Sequence, residues 1–104
     1  MPTSHSVIIN KTARYFTLGT LSDKIETVWF VLHGYGQLAK DFIDEFSILE
    51  NNTTYIIAPE AINKFYLRGF TGKIGATWLT KEDRENEIKD YNNFLENVFI
   101  KELR

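Results

Sequence analysis

Leu32-His33-Gly34-Tyr35-Gly36-Gln37 carries the most chemical content in the chain. It follows an apolar run, Val28-Trp29-Phe30-Val31-Leu32. Its two glycines let the backbone turn sharply and aim N–H groups outward. Such groups stabilise an oxyanion or cradle a phosphate. Nucleophiles are scarce beside it. The serines are Ser4, Ser6, Ser22 and Ser47, none next to a glycine, so there is no Gly-x-Ser-x-Gly elbow. There is no cysteine, which excludes thiol catalysis, disulfides and Cys-zinc sites. His5 and His33 are the two histidines. They lie far apart without an evident carboxylate partner, so no metal site is expected. His33 reads as a structural histidine hydrogen-bonded beneath the glycine loop, and His5 as part of a polar tail. Glu82-Asp83-Arg84-Glu85 reads as the solvated start of a helix, favoured by the helix dipole, and not as an acid/base pair.

The elements that position these residues follow from pattern. The 104 residues suit one domain. A formal net charge of −2 lacks the basic excess a phosphate-neutralising nucleic-acid binder carries. No apolar run approaches the ~20 residues of a membrane helix, and no signal peptide is expected. The default is a soluble, cytoplasmic protein. Val7-Ile8-Ile9-Asn10 and Ala13–Gly19 read as a hairpin turned at Asn10-Lys11-Thr12. Thr27–Leu32 reads as a strand buried on both faces. Leu38, Phe42, Phe46 and Leu49, with Ile43, recur at helical spacing up to Asn51-Asn52. Tyr55-Ile56-Ile57-Ala58 is a second buried-type strand, stopped by Pro59. The strand–helix–strand unit predicts a parallel crossover. Residues 60–80 read as a long loop rich in glycine and aromatics, with Tyr66, Arg68, Phe70 and Trp78 as packing or cleft residues. Thr80 reads as an N-cap with Asp83 at the third position, opening a helix to about Lys101. Its apolar face is Ile88, Tyr91, Phe94, Leu95 and Val98; Glu85, Lys89, Asp90 and Glu96 face solvent. The class is α/β, in the order β–β–β–α–β–loop–α.

Val28 to Gln37, Ile57-Ala58-Pro59-Glu60 and Gly75-Ala76-Thr77-Trp78, followed by an acidic helix, resemble the amino-terminal half of an α/β-hydrolase. The similarity is to the phospholipase/carboxylesterase type, which includes acyl-protein thioesterases, and it covers residues 7 to 103. It implies a serine hydrolase of carboxylic esters or thioesters without metal or organic cofactor. It implies that the Tyr35 N–H is an oxyanion donor, that His33, Gly34, Gly36 and Gln37 shape the loop, and that Trp78 lines or supports the acyl cleft. His33 is then not the catalytic base. The family's nucleophile, acid and base have no counterpart among these 104 residues. The chain alone is expected to be inactive: a partial α/β-hydrolase sheet, truncated before the nucleophile strand. The family's sheet order also leaves strand 27–32 as an open edge, so self-association or pairing with a complementary fragment is expected there.

Two other readings remain open on the residues. One is a non-catalytic binding or assembly module on the same scaffold. The other is a dinucleotide-binding fragment, since Gly34-Tyr35-Gly36-Gln37-Leu38-Ala39 fits Gly-x-Gly-x-x-Ala and Glu60 ends the next strand. Against the latter, His33 precedes the first glycine and a hairpin precedes the strand.

Overall fold

A computed structural model describes residues 1–69 and 71–103. Three strands form one sheet: β1 (Tyr15–Leu18), β2 (Thr27–Phe30) and β3 (Thr54–Pro59). Their spatial order is β1-β3-β2. β2 runs parallel to β3, with Trp29 opposite Ile56 and Phe30 opposite Ile57. β1 runs antiparallel to β3 on its other side. The parallel pair and the mixture of helices and strands bear out an α/β class.

β3 is buried along its whole length because it has a strand on each side and a helix on each face. Ile56 and Ala58 face one way, with Val31, Ala39 and Ile43. Tyr55 and Ile57 face the other way, against Val98 and Phe94 of α2 (Arg84–Leu103). This is the period-2 alternation of a strand between two layers.

β2 departs from expectation. Its sequence is as apolar as that of β3, yet all four residues are exposed, Trp29 at 47%. Only one neighbour pairs with it, so it is an edge and not a doubly covered strand. Val31, just beyond it, is buried and keeps its N–H bonded to the Ile57 carbonyl at 2.9 Å.

The amino-terminal hairpin does not form. Residues 1–14 hold no strand, and Val7, Ile8 and Ile9 are exposed. Tyr15–Leu18 pairs with β3 instead. High β-propensity makes a strand only where a partner and a surface to cover are present.

The predicted helix over 38–49 is split. Ala39–Phe42 is one α-helical turn, α1, and Ile43–Leu49 continues as a 3-10 helix. Leu38 at the cap offers no side-chain acceptor. Phe42, Ile43 and Phe46 still pack on the sheet, but Leu49 is exposed.

Residues 60–80 are not a loop. β4 (Asn63–Arg68) and β5 (Thr71–Thr77) form a separate antiparallel hairpin. Its glycines, read as loop punctuation, sit at the turn (Gly69), at a shift of register within β5 (Gly72) and at a close backbone approach (Gly75). α2 starts at Arg84, not at Thr80. The Asp83 carbonyl accepts the Glu87 N–H at 3.1 Å, and Asp83 sits at φ 53°. Its carboxylate accepts from the Asn86 amide at 2.9 Å. Tyr91 and Val98 are buried, Phe94 and Leu95 half-buried, and Ile88 exposed: Tyr91 packs against Ala61 and Ala76, and Val98 and Phe94 against Tyr55 and Ile57 of β3. Glu85, Lys89, Asp90 and Glu96 are exposed, as their polarity requires.

Candidate oxyanion loop

The glycine loop leaves the carboxyl end of β2, where α/β sheets carry their ligands. Gly34 to Gln37 is a tight turn closed by the Gln37 N–H on the Gly34 carbonyl at 3.3 Å. Gly36 sits at φ 77°, the left-handed value that the third residue of a type II turn needs.

The loop is tied down on three sides. The Gln37 side chain folds back, and its Oε1 accepts the Gly34 N–H at 2.6 Å. The Gly36 N–H donates to the Ala76 carbonyl at 2.9 Å, and the Ala76 N–H returns to the Gln37 carbonyl at 3.1 Å. These bonds join the loop to β5. The joint requires Gly75, because a Cβ there would lie 2.3 Å from the Gly36 carbonyl oxygen. Among the described residues, the Tyr35 N–H takes no partner. It is the one amide of Gly34-Tyr35-Gly36 left for a ligand. The Tyr35 ring is exposed and leans on Phe65 of β4, centroids 5.3 Å apart.

His33 lies beneath this turn, fully buried. Its Nε2 accepts the Ala61 N–H at 3.1 Å, so Nδ1 holds the proton and donates to the Gly34 carbonyl at 2.8 Å. Both ring nitrogens are thereby engaged. Trp78 stacks on the imidazole at 5.2 Å and donates from Nε1 to the His33 carbonyl at 2.9 Å. Tyr91 meets Trp78 edge-on, centroids 4.9 Å apart. Its hydroxyl accepts the Ile62 N–H at 3.1 Å. Burial first of all pushes the Tyr91 hydroxyl above its usual pKa, against the lowering effect of the amides it accepts from.

Glu60 is the group whose environment sequence reasoning missed. Its carboxylate is buried at the end of β3. Arg14 grips both oxygens, Lys64 Nζ lies 3.5 Å away, and the Ala39 N–H donates to Oε1 at 3.0 Å. Burial alone would raise its pKa. The bonds from Arg14 and Ala39, with both cations, outweigh that and hold the carboxyl below its usual value. Glu60 thus stands in for the missing cap of α1. The signal in the sequence was a carboxylate directly after a buried strand, with an arginine at the head of the strand that pairs with it.

A cleft of about 200 Å³ opens beside the loop, between Gly36-Gln37-Leu38, Asp41 and Glu45 on the helical segment, and the hairpin. Leu67, Lys73 and Ile74 form its hairpin wall. Nothing in the sequence marked these three. Trp78 and Tyr66 do not line this cleft: Trp78 packs under the loop, and Tyr66 is exposed on β4. Phe70 lies outside the described residues. Arg68 is exposed near the hairpin tip.

The dinucleotide reading loses its cradle here. The Gly34 and Gly36 amides are taken, α1 is a single turn, and the Glu60 carboxylate is held by Arg14 and Ala39 instead of facing a ribose. Among the described residues no cluster of three His, Asp or Glu side chains is placed to hold a metal ion. No described helix is long and apolar enough to cross a membrane. No protein-family model matches the chain, and no curated protein matches it.

Proposed function

We propose that this chain carries the oxyanion-binding part of a serine hydrolase of the α/β-hydrolase type, acting on small carboxylic esters or thioesters. The observation that carries the reading is the Tyr35 amide, without a partner at the end of a parallel strand while its neighbours are locked. A fixed donor of this kind stabilises the negative oxygen of a tetrahedral intermediate without reorganising. The order of His33-Gly34-Tyr35-Gly36, Ala58-Pro59-Glu60 and Trp78 adds the family resemblance. The chain brings no nucleophile elbow, so it supplies charge stabilisation and cleft wall but no acyl-enzyme chemistry.

Backbone amide spectra during titration with butyrate, the product-like carboxylate, test the reading. The Tyr35 amide is expected to shift most. A response centred away from residues 34–37 would overturn it. In parallel, p-nitrophenyl butyrate and a fluorophosphonate probe should give neither turnover nor adduct on the intact 12.1 kDa chain. An adduct on Ser4, Ser6, Ser22 or Ser47 would place the nucleophile outside the proposed scheme. A non-catalytic binding module is the second reading, favoured by the missing elbow. It predicts a site that holds carboxylates and turns over no ester.

A further inference from the structure

The cleft beside the glycine loop has an uneven lining. Leu38 and Phe42 on the helical side and Leu67 and Ile74 on the hairpin make its apolar part. Leu67 and Ile74 are 44% and 43% exposed, so this surface has no cover from the chain itself. Leu67 also reaches the loop: a Cβ at Gly36 would lie 3.2 Å from its Cδ2. The cleft therefore begins at Gly36, one residue from the open Tyr35 amide.

Charge is divided between the two walls. Asp41 and Glu45 stand on the helical wall and Lys73 on the hairpin wall. Among the described residues the ion pairs are those of Glu60 with Arg14 and Lys64, and Asp41, Glu45 and Lys73 make none. Two carboxylates against one ammonium leave the cleft negative. A cleft of one sign concentrates ligands of the other. Its size sets the length of the ligand. The volume of about 200 Å³ falls below the roughly 300–1,000 Å³ of pockets for drug-sized molecules, which leaves room for a short acyl group and none for a long lipid chain.

We propose, resting on the oxyanion reading of Tyr35, that the acyl group taken by this cleft is short and carries an ammonium. Its carbonyl lies at the loop, its stem on Leu38, Phe42, Leu67 and Ile74, and its charge beside Asp41 and Glu45. The substrate class is then the ester or thioester of a small amino acid. Lys73 sits opposite and works against the same acyl group ending in a carboxylate only if the two acids hold the charged end.

Amide-detected titrations of the full chain with 4-aminobutyrate, pentanoate and glutarate test this. The three carboxylates share one chain length and end in an ammonium, a methyl group and a carboxylate. All three should shift the Tyr35 amide. The 4-aminobutyrate should bind about threefold more tightly than pentanoate, the size of effect an exposed ion pair gives, and glutarate most weakly. It alone should move the Asp41 and Glu45 amides. Asp41→Asn with Glu45→Gln should remove the preference and keep the Tyr35 response to pentanoate. Equal binding, or tighter binding of pentanoate or glutarate, overturns the proposal and leaves the oxyanion reading standing while Tyr35 responds. A preference that survives the double substitution also overturns it. Silence of residues 34–37 toward all three ligands overturns the oxyanion reading and this proposal with it.

Discussion

Gly75 and Glu60 show how single residues hold the loop in place. A methyl group at position 75 meets the Gly36 carbonyl, so Gly75→Ala must push the loop off β5. Such overpacking costs roughly 1–3 kcal/mol. The denaturation midpoint should fall, and the amides of residues 34–37 should shift. Glu60 acts on the other side. Glu60→Gln loses the charge that Arg14 and the Ala39 amide bind, and should cost roughly 1–3 kcal/mol, read by urea unfolding. The pH dependence has a defined sign. The folded Glu60 carboxyl titrates below its unfolded value, so the unfolded state binds its proton first as pH falls. Its stabilisation is complete above the ordinary Glu pKa of about 4.3 and is lost as pH drops through the lower folded value. Arg14→Met should move this acid limb upward, measured as unfolding free energy against pH. His33 was readable from the sequence as a structural residue; its burial and two bonded nitrogens fit that role. The Glu60 network was not readable. It joins residues 14, 39, 60 and 64, which only the fold brings together.

The elements differ in how far neighbouring residues determine them. β3 and the carboxyl half of α2 are written locally, in a β-branched run ended by Pro59 and in apolar residues at helical spacing. The start of α2 is less local. Thr80 looks like a cap, but its amide and hydroxyl are taken by Glu87 and its hydroxyl also serves the Glu82 amide. Asp83 takes the cap position with a left-handed backbone. Asp tolerates that conformation and a β-branched residue does not. Asp83→Val should therefore destabilise the chain by about 1–2 kcal/mol, with fraying at Arg84–Glu87 seen in amide exchange. The hairpin β4–β5 was hidden for a related reason. Gly69, at φ 68°, belongs to its turn, Gly72, at φ 90°, lies in β5 where the register with β4 shifts, and Gly75 serves the contact with the loop. Sequence alone gives no way to tell a glycine needed for a turn from one needed for close approach.

At the scale of the whole molecule the apolar core is divided. Three small clusters lie on the two faces of the sheet and under the hairpin, instead of one continuous core. The radius of gyration is 16.1 Å, against about 13 Å for a compact domain of 100 residues. Ile8 is 97% exposed, and Trp29 and Phe99 also face solvent.

Residues near one another in the chain were enough for the β2–helix–β3 order, the tight glycine turn, the buried β3 and a His33 hydrogen-bonded beneath the loop. Turn chemistry and hydrophobic period act over a few residues, so they can be read without knowing what packs where. Burial and pairing act between distant residues. Val7-Ile8-Ile9 and Tyr55-Ile56-Ile57 are alike in composition, yet one is bare and the other fully covered, because β3 alone has β1 and β2 beside it. The same rule governs the candidate site. The glycines of the loop are visible in the sequence, but which amide stays open depends on Gln37 folding back and on β5 docking through Gly75 and Ala76.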